Sequence, residues 1–68
     1  MIVQYWSKEL GRDILARYIQ VSYNQIYEVT DINYKGNHYV FTTTEGLEIS
    51  ENEVIALGIA KGTLEKIK

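Results

Sequence analysis

Apolar and polar positions alternate only loosely in the opening "MIVQYW", which is rich in β-formers and suits a short first strand. Ser7 then stands where a helix cap belongs, Glu9 falls in the first turn, and Leu10, Ile14, Leu15, Tyr18 and Ile19 recur at the spacing of one helical face. This predicts an amphipathic helix over residues 8–20. A strand through "LARYIQVSY" competes with it, because Leu15, Ile19, Val21 and Tyr23 also share a parity, interrupted by Arg17. From Ile26 onward the signal is β. Gly36-Asn37 lies between two β-rich runs and suits a two-residue type II′ turn, which sets Lys35 opposite His38, Tyr34 opposite Tyr39 and Ile32 opposite Phe41. A three-residue loop, Thr44-Glu45-Gly46 with Gly46 in the left-handed region, then pairs Ile49 with Phe41 and Leu47 with Thr43. Ile32, Tyr34, Tyr39, Phe41, Leu47 and Ile49 thereby share one apolar face. Asp31, Asn33, Val40, Thr42 and Glu48 share the other, expected to meet water or a partner.

A meander with one apolar face needs a cover, and the helix at 8–20 would supply it. The expected fold class is α+β: a small antiparallel sheet of three to four strands, an N-terminal amphipathic helix over it, and a short C-terminal helical segment. Ser50 followed by Glu53 makes a capping box and predicts a helix from about Glu51. With Val54, Leu57, Gly58, Ile59, Thr63, Leu64 and Ile67 after it, the segment 50–68 resembles the core of the helix-turn-helix DNA-binding family. Gly58 and Ile59 stand at the turn of that pattern. The resemblance implies that Lys61, Gly62, Thr63, Lys66 and Lys68 face DNA. The same stretch also resembles the second half of small SH3-like barrels, in which "SENEV" would be one 3₁₀ turn between strands. "IAL" or "TLEKIK" would then return as an edge strand, with Gly58 and Gly62 as loop residues.

Sixty-eight residues suit one domain, which buries only about 60% of the surface its unfolded chain exposes. The chain has no cysteine and one histidine, so neither disulfides nor a thiolate metal site is expected to supplement the core. "MIVQYW" is too short for a membrane span and lacks the flanks of a signal peptide, so a cytoplasmic address with no membrane contact is the expectation. The formal charge of −2 hides an asymmetry. Residues 24–57 carry Lys35 against Glu28, Asp31, Glu45, Glu48, Glu51 and Glu53, whereas the tail carries Lys61, Lys66 and Lys68 against Glu65.

Nothing in the pattern demands catalysis. His38 falls beside a hairpin tip, Glu51 and Glu53 suit the start of a helix, and the glycines form no phosphate loop. Asp31, Glu45 and Glu48 lack the spacing of a calcium loop, and no cofactor or metal is implied. Eight aromatic residues are many for this length: Tyr34, Tyr39 and Phe41 are expected in the core, while Tyr5, Tyr23 and Tyr27 cannot all be buried. The expectation is a small non-enzymatic interaction or regulatory module that binds a protein partner through Asp31, Glu48, Tyr23 and Tyr27, with a homodimer as an option. The composition is similar to that of accessory proteins of bacteria and their phages. A DNA-binding regulator using the closing segment is the alternative.

Overall fold

The computed structural model describes residues 2–7 and 11–67. Its elements are strands β1 (Val3–Ser7), β2 (Arg12–Ala16), β3 (Tyr18–Ser22), β4 (Gln25–Lys35), β5 (His38–Thr43) and β6 (Glu48–Ser50), a 3₁₀ turn (Glu51–Glu53), and strands β7 (Ala56–Gly58) and β8 (Glu65–Lys66). β1 and β2 form an antiparallel hairpin, and the other six run in the order β6-β5-β4-β3-β7-β8. The fold is all-β, not α+β: no α-helix occurs among the described residues.

The predicted helix over 8–20 is replaced by strands wherever the structure describes it; residues 8–10 lie outside the described residues. Gly11 takes φ 67°, a left-handed conformation that no helix interior accommodates, and the chain reverses so that Tyr5 pairs with Ile14 and Val3 with Ala16. Those four side chains are buried, while Leu15, a member of the supposed helical stripe, is half exposed. The competing strand pattern describes the segment better, and Arg17 is where it breaks. Ile14 and Ala16 are buried before it, Ile19 after it, so parity changes at this residue. The Arg17 N–H donates to the Gly58 carbonyl (2.8 Å) and its own carbonyl accepts from the Val29 N–H (2.8 Å), which pins the bend to two neighbouring strands. Its Nε donates to Glu28 Oε2 at 3.0 Å, and this hydrogen bond raises the guanidinium pKa further above its ordinary value.

β4 belongs to both halves of the sheet. Its first part pairs with β3 through Tyr18↔Glu28 and Ile19↔Tyr27, its last part with β5 through Ile32↔Phe41, Tyr34↔Tyr39 and Lys35↔His38. The hairpin register is the one the Gly36-Asn37 turn demands, with φ 67° at Gly36. Between the halves a bulge at Thr30 sets Val29 opposite Thr43 and Asp31 opposite Thr42. The extra residue flips the parity, so Val29 and Ile32 both turn inward although an odd spacing separates them. Gly46 adopts φ 85°, and Phe41↔Ile49 and Thr42↔Glu48 follow.

Packing departs from the face assignment in three places. Tyr34 and Leu47, expected in the core, are 54% and 46% exposed, one beside the Gly36-Asn37 turn and the other after the Gly46 turn. Val40, expected to meet water, is only 8% exposed. The cover over Phe41 is the β1–β2 hairpin: Tyr5 packs edge-on against Phe41 (5.4 Å between ring centroids) and beside Tyr39 (4.9 Å).

The closing segment is not a helix-turn-helix. Ser50 Oγ accepts from the Asn52 N–H at 3.3 Å and so caps a single 3₁₀ turn. Glu51 spends its carboxylate on the Tyr39 N–H (3.0 Å), and the turn closes through Val54 N–H to the Glu51 carbonyl (3.1 Å). Val54 is fully buried, and Ile55 N–H donates to the Gln20 carbonyl at 2.8 Å, so the chain enters a β-ladder where the helix was expected to continue. β7 then pairs with β3 through Ile19↔Leu57, and β8 with β7. The side of β3 away from β4 needs hydrogen-bond partners, and β-branched Val54 and Ile55 suit an extended chain better than a helix. The small-barrel resemblance is the more compatible of the two, and no family is identified.

Candidate functional site

The four residues expected to form a partner surface do not lie on one face. Asp31 is exposed next to the Thr30 bulge, where its carboxylate accepts from the Ile32 N–H (2.9 Å) and from Asn33 Nδ2 (3.4 Å). Glu48 is exposed two strands away, with Thr42 between them in register, and accepts from Lys35 Nζ at 3.0 Å. Tyr23 sits at the tip of the β3–β4 hairpin, 91% exposed. Tyr27 is half-buried and packs against the core. Asp31 and Glu48 therefore share the outer face of the meander, whereas Tyr27 and Glu48 meet at a groove.

That groove, about 280 Å³, runs along β6. Leu47, Glu48 and Ile49 form one wall, Val21, Gln25 and Tyr27 the other, and Glu53 one end. Each wall has a local cause. Val21 is the extra residue of a bulge in β3, between Gln20↔Ile26 and Ser22↔Gln25, which re-aims its side chain relative to Ile19. Leu47 is held by Thr43: the Leu47 N–H donates to Thr43 Oγ1 (3.2 Å) and its carbonyl accepts from the Thr43 N–H (2.9 Å). Aliphatic and aromatic side chains share the lining with Gln25 and the carboxylates of Glu48 and Glu53, and among the described residues no lysine, arginine or histidine lines it.

Val21, Gln25, Leu47 and Glu53 escaped the sequence reading. The parity of Leu47 points to the core and the position of Glu53 to a helix cap. The one signal for Val21 was its parity with Ile19; that the β3–β4 hairpin curls back toward β6 is a long-range event with no local signature.

The residues expected to face DNA fall on a turn and an edge strand, not on a helix, wherever the structure describes them. Lys61, Gly62 and Thr63 form the turn between β7 and β8, with Gly62 at φ 94° and Thr63 Oγ1 donating to the Ala60 carbonyl (2.8 Å). Lys66 is an exposed position of β8 opposite Ala56, and Lys68 lies outside the described residues. No recognition helix presents them.

His38 is half-buried beside Asn37, its Nδ1 3.2 Å from Asn37 Oδ1. Among the described residues no three histidine, aspartate or glutamate side chains converge as metal ligands, and no helix is long and apolar enough to cross a membrane. Comparison with protein-family models, with curated proteins and with solved structures returned no match.

Proposed function

We propose that this chain is a small non-enzymatic interaction module that binds a protein partner through the acidic side of the β4–β6 meander. The observation that carries the reading is the meeting of Tyr27 and Glu48 at one groove with exposed Leu47, a mixed lining of aliphatic, aromatic and carboxylate side chains. Aromatic and aliphatic groups in a concave site supply contact area, and the carboxylates select for a partner of positive charge. Asp31, on the same outer face as Glu48, extends the negative field. Affinity capture with the Asp31→Lys/Glu48→Lys double variant tests it, after circular dichroism has verified the fold. Loss of the captured partner is the expected result, and an unchanged set of captured proteins overturns the reading.

A homodimer has one surface in its favour. On the outer side of the β1–β2 hairpin Ile2, Trp6 and Leu15 are each about half exposed, at 53%, 51% and 51%. Alternation places them on the face opposite Val3, Tyr5, Ile14 and Ala16, where a second copy could cover them. Sedimentation velocity over a wide concentration range reads this directly: a species of doubled mass that Trp6→Lys removes supports it, and a monomer throughout sinks it.

A further inference from the structure

β6 ends the six-stranded sheet and, among the described residues, is paired on one side only, with β5. In an antiparallel ladder, residues alternate between bonding toward the partner and bonding away from it. The Thr43–Leu47 bond makes Leu47 and Ile49 the residues bonded toward β5. Glu48 N–H and C=O and the Ser50 N–H therefore point outward, into the groove. Exposed strand edges are ordinarily blunted or covered. The opposite edge is: β8 has two residues, both charged, and its Glu65 is tied to Arg12 of the hairpin at 2.8 Å. The β6 edge faces a trough whose far wall is the β3–β4 hairpin.

From this geometry we infer that the groove accepts an extended basic segment as an added strand beside β6, with apolar side chains at alternate positions. The inference rests on the interaction-module reading and names its mode and partner chemistry. An added strand lies about 4.8 Å from β6 and bonds to the outward groups of Glu48 and Ser50. Its inward side chains cover Ile49, Val21 and Tyr27, and its outward side chains lie beside Glu48. Charge complementarity selects the occupant: Glu53 and Glu48, the latter paired with Lys35, line the groove, and among the described residues no cation does. The Lys35–Glu48 pair does not stand in the way, since both partners are more than half exposed and such pairs exchange at little cost.

The probe is an end-capped peptide of alternating lysine and valine, about seven residues long, titrated into the isotopically labelled full chain at low salt. Expected are amide shifts confined to residues 47–50, 21–27 and 53, slowed exchange of the Glu48 and Ser50 amides, and no response to a glutamate–valine peptide. Methylating the peptide nitrogens that face β6 should weaken binding more than about tenfold. Glu53→Lys should weaken it about two- to fivefold, while Asp31→Lys, outside the groove, leaves it nearly unchanged. Equal binding of the methylated peptide overturns the added strand. Shifts restricted to the Asp31–Thr42 face overturn it too, and leave the interaction-module reading standing. Complete silence toward the peptide overturns the groove as its site, whereas failure of the capture experiment above strikes the broader reading. Concentration-dependent shifts of the same amides without peptide also overturn it, because a second copy then fills the trough.

Discussion

Thr43 is the buried polar side chain of the core among the described residues, and it shapes one wall of the groove. Its Oγ1 accepts from the Glu45 N–H (3.3 Å) and the Leu47 N–H (3.2 Å), tying the loop to the strand that precedes it. Thr43→Val keeps the shape and strands both donors, so denaturant unfolding should show a loss of about 1–2 kcal/mol, with Thr43→Ser recovering most of it. Gly58 is constrained differently. A Cβ there would lie 3.0 Å from the Thr63 carbonyl oxygen and 3.2 Å from Leu64 Cα, both backbone atoms. Gly58→Ala should cost about 1–3 kcal/mol by overpacking and detach the 59–64 turn first, read as faster hydrogen exchange there than in β5. The glycine that resembled a helix-turn residue is thus required by the close approach of the backbone at Thr63 and Leu64.

The meander was legible in the sequence because its determinants are local. Gly36 and Gly46 fix two turns, and alternation between them fixes which side chains pair. The N-terminal half was not, because positions 14, 15, 18 and 19 satisfy a helical stripe as well as two strands that change parity at Arg17. What decides between them is the partner surface: β2 needs β1, and β3 needs both β4 and β7. The capping box misled for a similar reason. Ser50 caps through the Asn52 N–H, Glu51 is drawn to the Tyr39 N–H and Val54 into the core, and the helix stops after one turn. Of the candidate site, the charge of Glu48 and the aromatic Tyr27 were readable, but their meeting was not. Arg17 carries the element-scale prediction. Its folded-state pKa is raised, so the Glu28 hydrogen bond's contribution is fully present below the ordinary arginine range wherever Glu28 carries its charge. It is lost in strong alkali, as pH rises through the folded pKa. Arg17→Gln should lower the melting temperature by the same small amount at every pH between mildly acidic and mildly alkaline, and a pH-dependent difference in that window would contradict the assignment.

At the scale of the whole molecule, a chain of 68 residues has little stability to spare, on the order of 5 kcal/mol. The core is one cluster in which Phe41, Ile19, Val29 and Val54 are fully buried, and Tyr5 closes it from the hairpin. Removing the Phe41 ring costs about 3–5 kcal/mol, comparable to the total. Phe41→Ala should therefore be largely unfolded at room temperature by circular dichroism. Trp6 is as large but half exposed on the outer side of its hairpin, and Trp6→Lys should leave the melting temperature within a few degrees of the parent. Tyr5 separates the architecture found here from a helix-covered sheet. A helix over residues 8–20 would leave β1 without its β2 partner, and Tyr5 would then have no fixed place over Phe41. In the all-β arrangement Tyr5→Ala opens a void against Phe41 and Tyr39 and should cost about 3 kcal/mol or more. A Tyr5→Ala variant as stable as the parent would show that the hairpin does not close the core.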